Sequence, residues 1–363
     1  MAKKSRQVNL VLSGGGVKGI AYAGVFETAE KRGYRWGNIA GVSVGAIAGA
    51  FAASGFNYYE MWESMKRFDF KGIQIKRVSE KLPVIYDYLQ FARSTRSTGP
   101  ESIRMFLNRS NFRSSEITDI GERDINAENR NLLDNIIVYS KNGCIFDGDI
   151  LEEWCAAELR KKGIRTFGDL KGGKKDTANP EGYKVRMTGV DCNRARLVVL
   201  PDGARFYGID PDELEVAKAV RISTCIPFVF KPVVLSKKED GKVKNYNLVD
   251  GGVFDRFPYW AIDRSNTPTV GFKLDGGEKK GFFSLDNALN ILKSLVSAVH
   301  DIGVPKDGGN YIKHVGSIDT SKVHTINFNL SEEDKLYLFR NGRLTAINLF
   351  NRFEKDSPRD RLL

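Results

Sequence analysis

The chain has 363 residues, 41% hydrophobic and 28% charged, and its 56 Lys and Arg against 45 Asp and Glu give a formal net charge of +11. That length holds one large domain or two modest ones, with the composition of a soluble globular protein. No apolar run approaches the roughly 18 residues of a bilayer-spanning helix. The excess of positive charge suits polyanions, but no helix-turn-helix, zinc-finger or RNA-binding signature accompanies it, so no nucleic-acid partner is expected.

Cys144, Cys155, Cys192 and Cys225 show no Cys-x-x-Cys spacing, and the three histidines all follow position 299. A reduced compartment is expected, with no metal and no other cofactor. Basic residues 1–6, the apolar run 8–12 and Ala21-Tyr22-Ala23 superficially resemble a signal peptide, but three glycines and Lys18 break the run. The expected location is cytoplasmic, peripheral at a membrane, or exported without a cleaved signal.

In chain order, residues 8–12 predict a short strand, 13–16 a tight glycine loop, and 17–32 a helix stopped by Gly33. Residues 39–42 predict a second strand, and the Ala/Gly-rich stretch 46–53 a second helix. Strands and helices alternating at this spacing imply a parallel sheet covered on both faces. Stretches 58–68 and 82–92 have helical spacing, while 93–131 is polar. An insertion over about 60–135 is therefore expected. Residues 147–162 predict a helix with acids in its first turn and Arg160, Lys161 and Lys162 at its end, complementing the helix dipole. A Lys/Gly-rich loop at 171–181 leads to strands at 183–191 and 195–200, a helix near 213–223, and a strand at 243–249 ending in Asp250-Gly251-Gly252. Beyond about 265 come a strand at 269–274, a helix at 285–301, a strand at 323–330 and a closing helix capped by Ser331.

Two motifs carry chemistry. Gly14-Gly15-Gly16-Val17-Lys18-Gly19 lies between a strand and a helix, so its N–H groups converge where negative charge is favoured. It matches the dinucleotide fingerprint literally. However, residues 34–42 offer no acid for a ribose, and Gly19 breaks the Walker-A pattern. Lys18 reads either as a surface charge at a helix start or as a headgroup contact. The second motif, Gly41-Val42-Ser43-Val44-Gly45, has the strand-to-helix setting of a nucleophile elbow. Loops after adjacent parallel strands meet at one end of the sheet. Gly15 and Gly16 can therefore present oxyanion donors to Ser43, 27 residues from Gly16.

Two bases are open. Ser43, Asp250 and one of His300, His314 or His324 give the chain order of a hydrolase triad, though no histidine has a distinctive setting and only one strand precedes the elbow. Alternatively, a carboxylate acts directly on the serine. Asp-Gly-Gly occurs at Asp250, Asp275 and Asp307: Asp250 ends an apolar strand and is followed by Val253-Phe254, as in a buried turn, whereas Asp275 precedes Glu278-Lys279-Lys280 and Asp307 lies in a Lys/Gly loop.

The glycine loop, the elbow and Asp250–Gly252 together resemble the patatin-like phospholipase family. Phe146-Asp147-Gly148, the segment 166–170 and the segment 223–230 with Pro227 agree, and the resemblance covers about 8–263. It implies an α/β fold of three layers, α/β/α, with a mainly parallel central sheet and a C-terminal α/β extension at 264–363 that completes or covers the catalytic domain. It implies a dyad of Ser43 as nucleophile and Asp250 as base, with backbone N–H groups of Gly14, Gly15 and Gly16 as the oxyanion hole. Lys18, Gly19, Gly41, Gly45, Gly251 and Gly252 support the motifs. The implied activity is hydrolysis of phospholipid or lysophospholipid acyl esters, with peripheral contact to an anionic membrane through basic residues such as Lys71, Lys76, Arg77 and Lys81. An acyltransferase on the same fold and a silent lipid-binding protein are the alternatives. One departure from the family pattern is Arg256, where asparagine is common before the proline.

Overall fold

The computed structural model describes residues 6–68, 148–227, 229–262, 267–276, 313–323 and 330–356. Strand β1 (Arg6–Leu12) is buried over its last five residues. A strand covered on both faces needs such a continuous run rather than alternation. A 3-10 turn, Gly16–Ile20, then leads into α1 (Ala21–Lys31), so the helix expected from residue 17 starts four residues later. β2 (Tyr34–Gly41) is longer than expected and runs parallel to β1. It is followed by α2 (Val44–Ala53) and α3 (Tyr58–Arg67), the latter opened by a reciprocal Asn57–Glu60 cap. After α4 (Asp149–Arg160) come β3 (Val185–Asp191), β4 (Arg196–Leu200), α5 (Val216–Ser223), β5 (Val233–Glu239) and β6 (Lys242–Asp250). β7 (Thr269–Asp275), β8 (His314–Asp319) and α6 (Glu332–Asp356) complete the described elements.

These strands form one mixed, mainly parallel sheet flanked by helices, in the order β5-β6-β3-β2-β1-β7-β8, with β4 paired to β3. The register near β3 positions the site. β4 runs along one edge of β3, with Leu200 opposite Met187 and Val198 opposite Gly189. Gly41 also faces Met187, and Asp250 also faces Gly189. A strand has two edges, so β2 and β6 must share the second one. They approach from opposite directions and stop end to end, which brings the turn after Gly41 against the turn after Asp250.

Leu10, Leu12 and Ile39 belong to the main core with α1, α2 and α6, while Val11 and Ala40 pack against Phe257, Ala261 and Ile262. The stripe Leu338, Gly342, Ala346, Leu349 and Phe353 buries one face of α6, with the spacing of an amphipathic helix. The expected Ser331 cap is present, its Oγ accepting the Asp334 N–H at 3.0 Å.

Several expectations are revised. β5 was not anticipated. Its alternation is buried Val233 and Leu235 against exposed Val234 and Ser236, and Asp240 and Gly241 turn it into β6 with φ of 49° and 76°. β8 was not anticipated either. Of the strand expected at 323–330, Val323 lies at the end of a turn, and 324–329 lie outside the described residues. Also outside them are the expected helices 82–92 and 285–301, most of the 60–135 insertion, Phe146-Asp147, and Lys71, Lys76, Arg77 and Lys81.

Candidate active site

Ser43 sits between β2 and α2 with φ 54° and ψ −127°. A non-glycine residue in such a conformation carries roughly 1–3 kcal/mol of strain and persists only where its surroundings enforce it. The flanking glycines are required by close approach. A Cβ on Gly45 would lie 2.5 Å from the Leu12 carbonyl oxygen, and one on Gly41 would run into the Gly45 carbonyl. The elbow is also tied down from behind. The Ser43 N–H donates to the Ser223 hydroxyl at 3.0 Å, which donates to the Thr188 carbonyl on β3 at 2.7 Å. Ser223 is fully buried at the end of α5. It lies in the segment 223–230 noted for family resemblance, but nothing in sequence assigns it this role.

The glycine loop stands beside the elbow because β1 and β2 are parallel neighbours, with Leu12 opposite Gly41. A Cβ on Gly14 would lie 3.2 Å from that of Ser43, and one on Gly15 would lie 2.7 Å from Leu274 Cδ1. Gly16 has φ 58°, which favours glycine. Ser13 and Tyr22 anchor the loop. The Ser13 hydroxyl accepts the Leu274 N–H at 2.9 Å, and the Tyr22 hydroxyl donates to the Ser13 carbonyl at 2.7 Å. Burial raises the Tyr22 phenol well above its ordinary pKa, so it stays a neutral donor.

The three expected oxyanion donors are not equivalent. The Gly14 N–H donates to the Arg256 carbonyl at 3.1 Å, which commits it and corrects its assignment as a free donor. The N–H groups of Gly15, Gly16 and Val44 meet no acceptor among the described residues. Val44, the residue after the elbow serine, was not among the expected donors, although nucleophile elbows commonly supply one at that position.

Asp250 ends β6 and is 5% exposed. Its carboxylate accepts the Gly252 N–H at 2.7 Å, and the Ser43 side chain lies close enough to favour its ionised form. Burial pushes its pKa up to about 7, and the Gly252 N–H, the neighbouring Ser43 side chain and the Arg256 charge only partly counteract that. Glycine is needed next, because a Cβ on Gly251 would lie 2.6 Å from the Thr188 carbonyl oxygen. Arg256, the departure from the family pattern, contributes its carbonyl to the glycine loop. Beside it the Asp255 carboxylate accepts the Phe257 N–H at 2.8 Å and the Trp260 indole at 2.6 Å.

Lys18 is only 4% exposed, so the expected surface charge or headgroup contact is corrected: it belongs to the buried turn. Gly19 lets that turn approach α2, since a Cβ there would collide with the Val44 side chain. His314 opens β8 rather than flanking a loop. Its ring packs edge-on against Phe353 at 5.0 Å, and β7 and β1 separate its strand from β2. His300, His324 and Asp307 lie outside the described residues, and Asp275 is exposed.

A cavity of about 220 Å³ opens on Ser43. Ile20, Val44, Ile47, Leu151, Trp154 and Phe230 give it an apolar wall. A hydroxyl on a strained elbow, beside a buried carboxylate and neighbouring backbone N–H groups without acceptors among the described residues, has the parts that acyl transfer requires.

An α/β sheet carrying an elbow serine and an Asp-Gly-Gly turn at its centre defines a class of lipolytic proteins. The family model for patatin-like phospholipases matches residues 10–263, and the chain belongs to that family. It is similar to the uncharacterised protein YqhO of Bacillus subtilis, 29% identical over 336 residues, which cover 92% of this chain and 94% of that one. It is also 27% identical over 205 residues to the lysophospholipase NTE1 of Candida albicans, across 50% of this chain and only 14% of that protein. Among solved structures, VipD from Legionella pneumophila matches with a TM-score of 0.45 and 20% identity, over 97% of this chain and 67% of that one. The effector ExoU matches with a TM-score of 0.39 and 16% identity, over 96% of this chain and 54% of that one.

Proposed function

We propose that the protein is a lipid acyl hydrolase of phospholipase A or lysophospholipase type, working through Ser43 and Asp250 and an acyl-enzyme. The observation that carries this reading is the placement of a strained elbow serine, Ser43, beside the buried Asp250 carboxylate where β2 and β6 meet along β3. Asp250 takes the Ser43 proton as Oγ attacks the ester carbonyl carbon. The carbonyl oxygen becomes an oxyanion received by the N–H groups of Gly15, Gly16 and Val44. As the tetrahedral intermediate collapses, the ester C–O bond breaks and Asp250 returns its proton to the leaving alcohol. Water then attacks the acyl-enzyme by the reverse route, giving its proton to Asp250, and Ser43 is regenerated with release of a fatty acid. A base near pKa 7 is half ionised at neutrality, close to the optimum for general-base work. The apolar cavity wall accommodates an acyl chain.

Ser43→Ala and Asp250→Asn should each abolish release of fatty acid from phospholipid or lysophospholipid, with both variants folded by circular dichroism. Retention of full activity by either variant would remove that residue from the mechanism. Lipid products identified by mass spectrometry separate hydrolysis from transfer to a second alcohol.

A further inference from the structure

The cavity at Ser43 has a polarity of its own. Besides its apolar wall it is lined by Lys66 and Arg67 at the end of α3 and by Lys335 on α6. One carboxylate bridges two of these cations: Glu332 Oε2 lies 2.8 Å from Lys66 Nζ, and Oε1 lies 2.9 Å from Lys335 Nζ. Arg67 pairs with Glu63 at 2.8 Å. Glu332 is 61% exposed, and ion pairs in that setting are weakly held and exchange readily. Three cations therefore border the space that an ester would enter, two of them held by one exposed carboxylate, Glu332, and the third by Glu63.

We propose that Lys66, Arg67 and Lys335 form a subsite for the phosphate of an anionic lipid headgroup, and that the phosphate displaces Glu332 from the two lysines. The inference rests on the acyl-hydrolase reading and extends it to a substrate class. With the ester at Ser43 and the chain along Ile20, Ile47 and Trp154, the headgroup is left to the cationic side. A phosphodiester offers charged acceptors to several donors at once. A choline or ethanolamine headgroup brings its own cation towards the same lysines, which is the repulsive element that specificity needs.

The test uses monomeric short-chain lipids, so that adsorption of a basic protein to a charged surface does not contribute. Binding is read calorimetrically at low salt on the full-length Ser43→Ala protein, which reports headgroup choice whether or not wild type turns over an ester. Dihexanoylphosphatidylglycerol should bind about tenfold more tightly than dihexanoylphosphatidylcholine. Glycerophosphoglycerol, which has the phosphate without the chains, should bind far more weakly than the anionic lipid. Adding Lys66→Gln and Lys335→Gln should abolish the preference. Adding Glu332→Gln, an exposed change that leaves the core untouched, should strengthen it by about threefold. Equal affinity for the two lipids overturns the subsite, as does a preference unmoved by Glu332→Gln. Equally tight binding of the chain-free phosphodiester would make the ligand a soluble phosphate compound and overturn the lipid assignment. Hydrolysis of a neutral reporter ester by wild type, measured separately, tells failure of this subsite from failure of the hydrolase reading.

Discussion

Asp250 couples chemistry to stability. In the unfolded chain its carboxyl titrates near 3.8, and in the folded protein near 7, because burial disfavours the charge. The folded state thus holds the proton more tightly. Its contribution to stability is present below about pH 4 and is lost as pH rises to about 7, costing roughly 4 kcal/mol at about 1.4 kcal/mol per pH unit. Asp250→Asn escapes this titration. In urea unfolding, its stability advantage over wild type should widen between about pH 4 and 7 and then level off. The rate runs the other way, because only the carboxylate accepts a proton: kcat/KM should rise with pH and reach a plateau above about pH 7. In the proposed mechanism Ser223 is a positioning residue, holding the Ser43 N–H. Ser223→Ala removes the acceptor of the Ser43 N–H, so kcat should fall about ten- to a hundredfold with KM and the pH midpoint unchanged. A parallel rise in KM would mark a general loosening of the fold instead.

At the scale of elements, α1 and α6 pack through glycines. A Cβ on Gly342 would overlap the Ala21 carbonyl, and one on Gly24 would overlap the Phe339 carbonyl. Gly342→Ala should lower the unfolding free energy by roughly 1–3 kcal/mol, read from the urea midpoint, with little change in kcat at permissive temperature. Sequence did not disclose this contact, since both glycines sit inside helical patterns without a local signal. What sequence did disclose was local chemistry. Strand, glycine loop, elbow and helix could be read at 8–53 because each is announced by residues a few positions apart. Ser43 and Asp250 were legible as types in their settings. Their shared edge on β3 was not, because it depends on the registers of Gly41 with Met187 and of Gly189 with Asp250, segments far apart in the chain. β5 escaped notice because its period-2 alternation is diluted by Lys237, Lys238 and Glu239. The commitment of Gly14 to Arg256, and the burial of Lys18, follow from tertiary contacts that no short window contains.

At the scale of the whole molecule, the family match ends at residue 263, yet the sheet does not. β7 pairs with β1 in parallel, and α6 buries Leu338, Leu349 and Phe350 against the core that includes Tyr22 and Phe26. A chain cut after residue 265 loses these partners. It should be recovered aggregated or without cooperative unfolding, as measured by solubility and circular dichroism, although it spans the matched region. The meeting of β2 and β6 along β3 has a kinetic consequence. The proposed base, Asp250, rides on a hairpin joined to β3 by three paired positions, Asp250, Val249 and Leu248. Fraying of that pairing carries the carboxylate away from the hydroxyl while the parallel strands around β1 stay intact. The protein should therefore lose activity in mild urea before its helical signal changes, and regain it on dilution. Catalysis would then report the opening of one hairpin rather than the melting of the molecule.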